Sequence, residues 1–218
     1  SIKSVNPSAK IIAGAVAGAD DKWINQFIEL GGFRYCDGFS IHPYMFQKKD
    51  SGRPEDVYTW VAKLDSLIQN KTGKAELPIF ITEVGWPNQF NDEGTTERGT
   101  ATYFQRLAIL LRSIKNVKAL IWYELKNSGN SAIEKEHNFG LVREDYSKKP
   151  IFDRFRDTTR LVMSAISITI TQKADNEYLA AIKMSDGSVC NANWIADSFT
   201  GVKYQIVPAL KEGNDVSI

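Results

Sequence analysis

The sequence predicts an α/β chain in which four strand–helix units are followed by a small antiparallel β module. Three observations predict it. Short apolar runs alternate with amphipathic stretches up to about residue 160. Beyond residue 165 the apolar period drops from 3.6 to 2. Polar residues gather at the carboxy ends of the first four strands.

Ala9 to Ala17 (AKIIAGAVA) is a short apolar run suited to a buried parallel strand. Asp20 or Asp21 can cap a helix carrying Trp23, Ile24, Phe27, Ile28 and Leu30, which Gly31-Gly32 stops. Cys36 to Tyr44 (CDGFSIHPY) is the second strand, and a polar loop with Gly52 and Pro54 comes after it. Glu55 to Asn70 is a helix with Val57, Trp60, Val61, Leu64, Leu67 and Ile68 on one face. Pro78 to Glu83 is the third strand, Glu97 to Ile114 the third helix, and Val117 to Leu125 the fourth strand. After a long loop the fourth helix runs from Pro150 to Val162. Ile166, Ile168 and Ile170 then alternate with Ser and Thr as in a half-exposed strand. Tyr178 to Met184 and Ser188 to Trp194 flank the hairpin signal Ser185-Asp186-Gly187, and Val202 to Val207 is a last strand. The expected division is 1–163 and 164–218.

Four βα units are half of an eight-stranded (β/α)8 barrel. Alternation alone also allows an open doubly wound sheet, but no glycine-rich phosphate loop comes after the first strand. A net charge of +1 does not suggest nucleic acid or an acidic membrane surface as partner, and no apolar run reaches the roughly 18 residues of a membrane-spanning helix. Cys36 and Cys190 fall in different parts of the chain and read as buried small hydrophobes. No Cys/His cluster has metal-ligand spacing, and no cofactor is expected.

The segment with the clearest chemistry is Pro78-Ile79-Phe80-Ile81-Thr82-Glu83-Val84-Gly85-Trp86-Pro87. A carboxylate at the tip of a buried strand costs several kcal/mol unless partners compensate, and function is the usual reason for such a placement. Tyr44, and His42 with it, can hydrogen-bond this group. Trp86 and Trp122 add flat apolar faces at the strand ends. By strand alternation Glu124 shares the side of Trp122. Glu134, Glu136 and His137 read as a solvated loop.

ITEVGWP resembles the nucleophile strand of clan A retaining glycoside hydrolases, and the rest of the chain is closest to their family 39-like group. DGFSIHPY is similar to strand six of that group, whose His and Tyr line the sugar site. LIWYELKN followed by EHNFGLVREDYSKKPIFDRF is similar to strand eight and the closing helix. The resemblance implies strands 5–8 of the barrel, with an incomplete accessory β module behind them. It makes Glu83 the nucleophile and places His42, Tyr44, Trp86, Trp122 and Glu124 around the sugar, Glu124 in a loop-tying role. The Asn-Glu pair bearing the relatives' acid/base precedes the stretch that reads here as SIKSVNPSAK, so residues 1–218 hold half of the catalytic couple.

The same resemblance implies a carbohydrate substrate hydrolysed by two carboxylates in the complete protein, with the chain alone expected to be inactive. The edges of strands one and four call for cover by the amino-terminal half-barrel or by a second copy. The substrate class points to an extracellular or periplasmic setting. A non-catalytic carbohydrate-binding barrel remnant is the alternative. An aldolase-like barrel would need a Schiff-base lysine or metal ligands at strand ends, where only Lys126 stands.

Overall fold

The computed structural model describes residues 2–46, 52–90, 94–174, 176–197 and 201–208. A short helix α1 (Ile2–Val5) leads into β1 (Ile12–Ala17), α2 (Asp21–Glu29), β2 (Gly38–His42), α3 (Pro54–Thr72), β3 (Ile79–Val84), α4 (Glu97–Arg112), β4 (Val117–Trp122) and α5 (Pro150–Ser164). Among the described residues four further strands come after it: β5 (Ala165–Ala174), β6 (Glu177–Met184), β7 (Val189–Ile195) and β8 (Lys203–Val207). β1 to β4 pair in parallel, in sequence order; β5 to β8 form a separate antiparallel sheet, also in sequence order.

Local chemistry sets the helix ends. The Asp20 side chain accepts from the Trp23 amide at 3.0 Å and caps α2. Pro54 opens α3, where its missing N–H costs nothing, and Gly73 closes it at φ 70°. The Thr96 hydroxyl accepts from the Gly99 amide at 2.9 Å and caps α4.

β2 and β3 are the central strands, and their Phe39, Ile41, Ile79 and Ile81 are fully buried. β1 departs from the buried strand expected at Ala9 to Ala17. It starts only at Ile12; at Ile11 the amide bonds the Asp37 carboxylate at 2.9 Å while the carbonyl accepts from the Asp37 amide at 2.7 Å. It is also a sheet edge, and Ile12 is 48% exposed, as Ile121 of the opposite edge β4 is 52%.

The antiparallel sheet packs on the far side of α3 and α4. From Gly99 to Leu111 every residue of α4 except Thr102 is buried, because the helix lies between the two sheets. Arg106 is 0% exposed; it pairs with Glu55 of α3 at 2.8 Å and donates to the Asp197 carbonyl at 2.8 Å. Trp194 of β7 donates its indole N–H to the other Glu55 oxygen at 2.8 Å. Arg53 and Arg112 reach the Ala196 and Ala165 carbonyls at 2.7 and 3.0 Å. Cys36 and Cys190 are buried and free. Among the described residues no helix is long and apolar enough to cross a membrane.

Candidate active site

Parallel pairing of β2 with β3 carries four polar side chains to one end of the sheet. Ser40 Oγ lies 2.5 Å from Thr82 Oγ1, which lies 2.9 Å from His42 Nε2. His42 Nδ1 is 3.0 Å from Glu83 Oε2, and the Tyr44 hydroxyl donates to Glu83 Oε1 at 2.9 Å. A carboxylate only accepts, so Nδ1 carries the proton. In the neutral ring Nε2 then accepts from Thr82, whose own oxygen accepts from Ser40, and the chain of donors runs toward Glu83. Burial, and next the bond to Glu83, push the Tyr44 phenol far above its usual range, so it remains a donor.

Thr82 and Glu83 are consecutive, yet both reach His42. The cause is a register shift: Ile81 pairs Leu120 and Val84 pairs Trp122, three residues of β3 against two of β4. Such a bulge re-aims a side chain that strict alternation would send to the helices. Gly85 completes the turn, since any Cβ there would strike the Tyr123 carbonyl oxygen.

Glu83 opens on a cavity of about 320 Å³. Tyr44, Phe46, Tyr123 and Phe139 give it aromatic walls; Lys135 and Glu136 stand at its polar side, and Ala17 and Gly18 complete it. Phe139 holds these walls together by edge contacts with Tyr44, Phe46 and Tyr123 at 6.2, 5.8 and 5.2 Å. A carboxylate held on two sides and facing an aromatic-walled space can meet an electrophilic carbon of a sugar. Among the described residues no group of three or more His, Cys, Asp or Glu is placed to hold a metal ion.

The family described as glycosyl hydrolase catalytic core matches residues 2–145. The chain belongs to that family. A family 39 glycoside hydrolase from the gut symbiont Bacteroides cellulosilyticus WH2 is 26% identical, with a TM-score of 0.73 over 90% of this chain and 42% of its own. A family 39 β-xylosidase from Caulobacter crescentus is 17% identical, with a TM-score of 0.55 over 88% and 40%. A family 2 β-galacturonidase from Eisenbergiella tayi is 19% identical, with a TM-score of 0.54 over 73% and 28%. No curated protein sequence matches. The chain thus spans less than half the length of the first structures it matches, and its four parallel βα units are part of a (β/α)8 barrel.

In this glycosyl hydrolase core the structure brings Glu83, His42 and Tyr44 together. Trp86 and Trp122 lie elsewhere, 3% and 7% exposed. They pack on each other at 6.1 Å and against Tyr103 and Phe104, so neither presents a free face to the cavity. Tyr123 takes the cavity wall instead. β4 stops at Trp122, so the alternation that grouped Glu124 with Trp122 ends there. Glu124 ties loops through its backbone, bonding Phe139 and Leu141, while its Oε1 is buried with no hydrogen-bond partner. Burial first, then Glu136, raises its pKa. Glu136, read as part of a solvated loop, lines the cavity.

Sequence reasoning also passed over Lys149, which is 2% exposed. Its Nζ donates to Asn88 Oδ1 at 2.8 Å, Asn127 Oδ1 at 2.6 Å and the Asn138 carbonyl at 3.3 Å, joining the loops after β3 and β4. Lysine before a helix-opening proline gives no sign of burial. Desolvation depresses its pKa from 10.5 to about 8. A lysine whose folded pKa is lowered disfavours the folded state while protonated, and the penalty lifts as pH rises from the folded toward the unfolded value. Lys149 should therefore add about 2 kcal/mol of stability between about pH 7 and about pH 9.5. Urea denaturation of the wild type should show this slope and Lys149→Met should flatten it; equal slopes would refute the assignment.

Proposed function

We propose that the chain supplies the nucleophile half of a retaining O-glycoside hydrolase. Glu83 attacks the anomeric carbon; a C–O bond to its carboxylate forms as the bond to the leaving oxygen breaks. Water then cleaves the glycosyl ester. A second carboxyl about 5 Å away first gives the leaving oxygen its proton and then takes one from that water. The one Asn-Glu pair in residues 1–218, Asn176-Glu177, is not followed by Pro and opens β6 of the antiparallel sheet, so that partner is assigned to the other half of the ring. Residues 1–163 form the barrel part and 164–218 the accessory module. The edges β1 and β4 take the amino-terminal half-barrel or a second copy of this chain. Tyr44 and His42 hold the Glu83 oxygens, and the substrate is a carbohydrate lying along the aromatic walls.

The observation supporting this most is the doubly hydrogen-bonded Glu83 carboxylate open to the cavity. A 2,4-dinitrophenyl 2-deoxy-2-fluoroglycoside tests it. Dinitrophenolate leaves without a proton, so glycosylation needs no acid catalyst, and the fluorine slows release of the ester. The chain should gain one glycosyl mass on the peptide containing Glu83. An unactivated glycoside should stay intact, since lost proton transfer alone costs roughly 10²–10⁴ in rate. No label, or a label on another residue, would sink the nucleophile assignment; cleavage of the unactivated glycoside would reveal an acid within the chain.

A further inference from the structure

The geometry points to Glu136, with Tyr123, as a hydroxyl-recognising wall that selects an uncharged sugar ring over a uronate in the Glu83 cavity. This rests on the glycosidase reading above and adds the substrate class to it.

Glu136 faces the same cavity as Glu83. Its Oε1 is 3.4 Å from Lys135 Nζ, and its Oε2 accepts from the Tyr123 hydroxyl at 3.5 Å. Both contacts are long, and a carboxylate has about four acceptor sites, so capacity remains for ligand hydroxyls. Sugar hydroxyls are donors of the matching kind, and hydrogen bonds to a charged acceptor are the stronger sort.

The segment bearing Glu136 is held in place although it is a loop. Ser128 Oγ donates to the Glu136 carbonyl at 2.7 Å. Asn138 Nδ2 donates to the Ser131 and Glu134 carbonyls at 2.8 and 2.6 Å, and the Ser131 amide donates to His137 Nδ1 at 3.2 Å. Lys149 then bonds the Asn138 carbonyl from beneath. A recognition group fixed in this way loses little freedom on binding.

Charge decides the class of ring. The described lining residues include two carboxylates, Glu83 and Glu136, and one cation, Lys135, whose Nζ lies 3.4 Å from Glu136. A uronate ring would bring a third negative charge to this lining, with Lys135 as the single cation among the described lining residues to set against all three. A neutral ring meets the Glu83 and Glu136 acceptors and the aromatic faces without that repulsion.

Methyl β-glucopyranoside and methyl β-glucuronide differ only at C6 and serve as probes at neutral pH. Titrated into the whole chain and followed by NMR, the neutral glycoside should bind at least about tenfold more tightly. Glu136→Gln should weaken the neutral glycoside by roughly tenfold and narrow the gap, because it removes a charged acceptor and a repulsion together. Equal binding of both probes, or a Glu136→Gln chain that binds both like the wild type, would overturn the inference. If neither probe binds while the fluoroglycoside still labels Glu83, this inference fails alone. If neither binds and no label forms, the glycosidase reading fails with it.

Discussion

Glu83→Gln is expected to slow labelling by the dinitrophenyl fluoroglycoside by about 10⁴-fold or more, because it removes the carboxylate proposed as nucleophile. The amide keeps the size of the carboxylate. Its oxygen can still accept from Tyr44, and a neutral His42 can receive the amide hydrogens by changing tautomer. Fold and cavity should therefore persist, and the loss should read nucleophilicity alone. Mass spectrometry of the labelling time course, with thermal unfolding as control, separates the cases. Tyr44→Phe should slow labelling far less, since Tyr44 orients Glu83 without attacking. A Glu83→Gln chain that labels at the wild-type rate would move the nucleophile elsewhere. A wild-type chain that binds sugars but never labels would favour the carbohydrate-binding remnant.

The strand–helix order was legible because each βα unit carries its own period and its own stop signals. Leu64, Ile68 and their neighbours mark α3, while Ile168 and Ile182 mark a sheet with one covered face. The reach of β1 was not legible: the Ile11 amide is taken by the carboxylate of Asp37, a residue 26 positions away. Glu83 could be found because a carboxylate beside an apolar strand is costly and so conspicuous. The wall opposite it could not. Trp122 and Tyr123 are adjacent aromatics, and which of them faces the cavity depends on where β4 ends and on the bulge in β3. Trp86 and Trp122 look like sugar platforms in sequence because an aromatic at a strand tip has the same composition whether it faces a ligand or α4.

Arg106→Ala is the substitution expected to damage stability most, by about 3–5 kcal/mol. It would strand the Glu55 carboxylate, 4% exposed, with the Trp194 indole as its remaining side-chain donor. It would also strip a donor from the Asp197 carbonyl and leave a void between α4 and the antiparallel sheet. The pair itself need not be strongly stabilising, because two desolvated ions roughly offset their own attraction; the cost arises from breaking it on one side. That distinction can be measured. Glu55→Gln combined with Arg106→Met removes both charges, keeps an acceptor for Trp194 and fills most of the volume, so the double variant should recover much of the loss. Urea denaturation of the single and double variants gives the coupling. If Arg106→Ala costs less than about 1 kcal/mol, the pair is not what fixes the β5–β8 sheet on α3 and α4. The docking would then rest on the apolar contacts of Trp194, Tyr178 and Ile168 and on the Arg53 and Arg112 bonds to the Ala196 and Ala165 carbonyls.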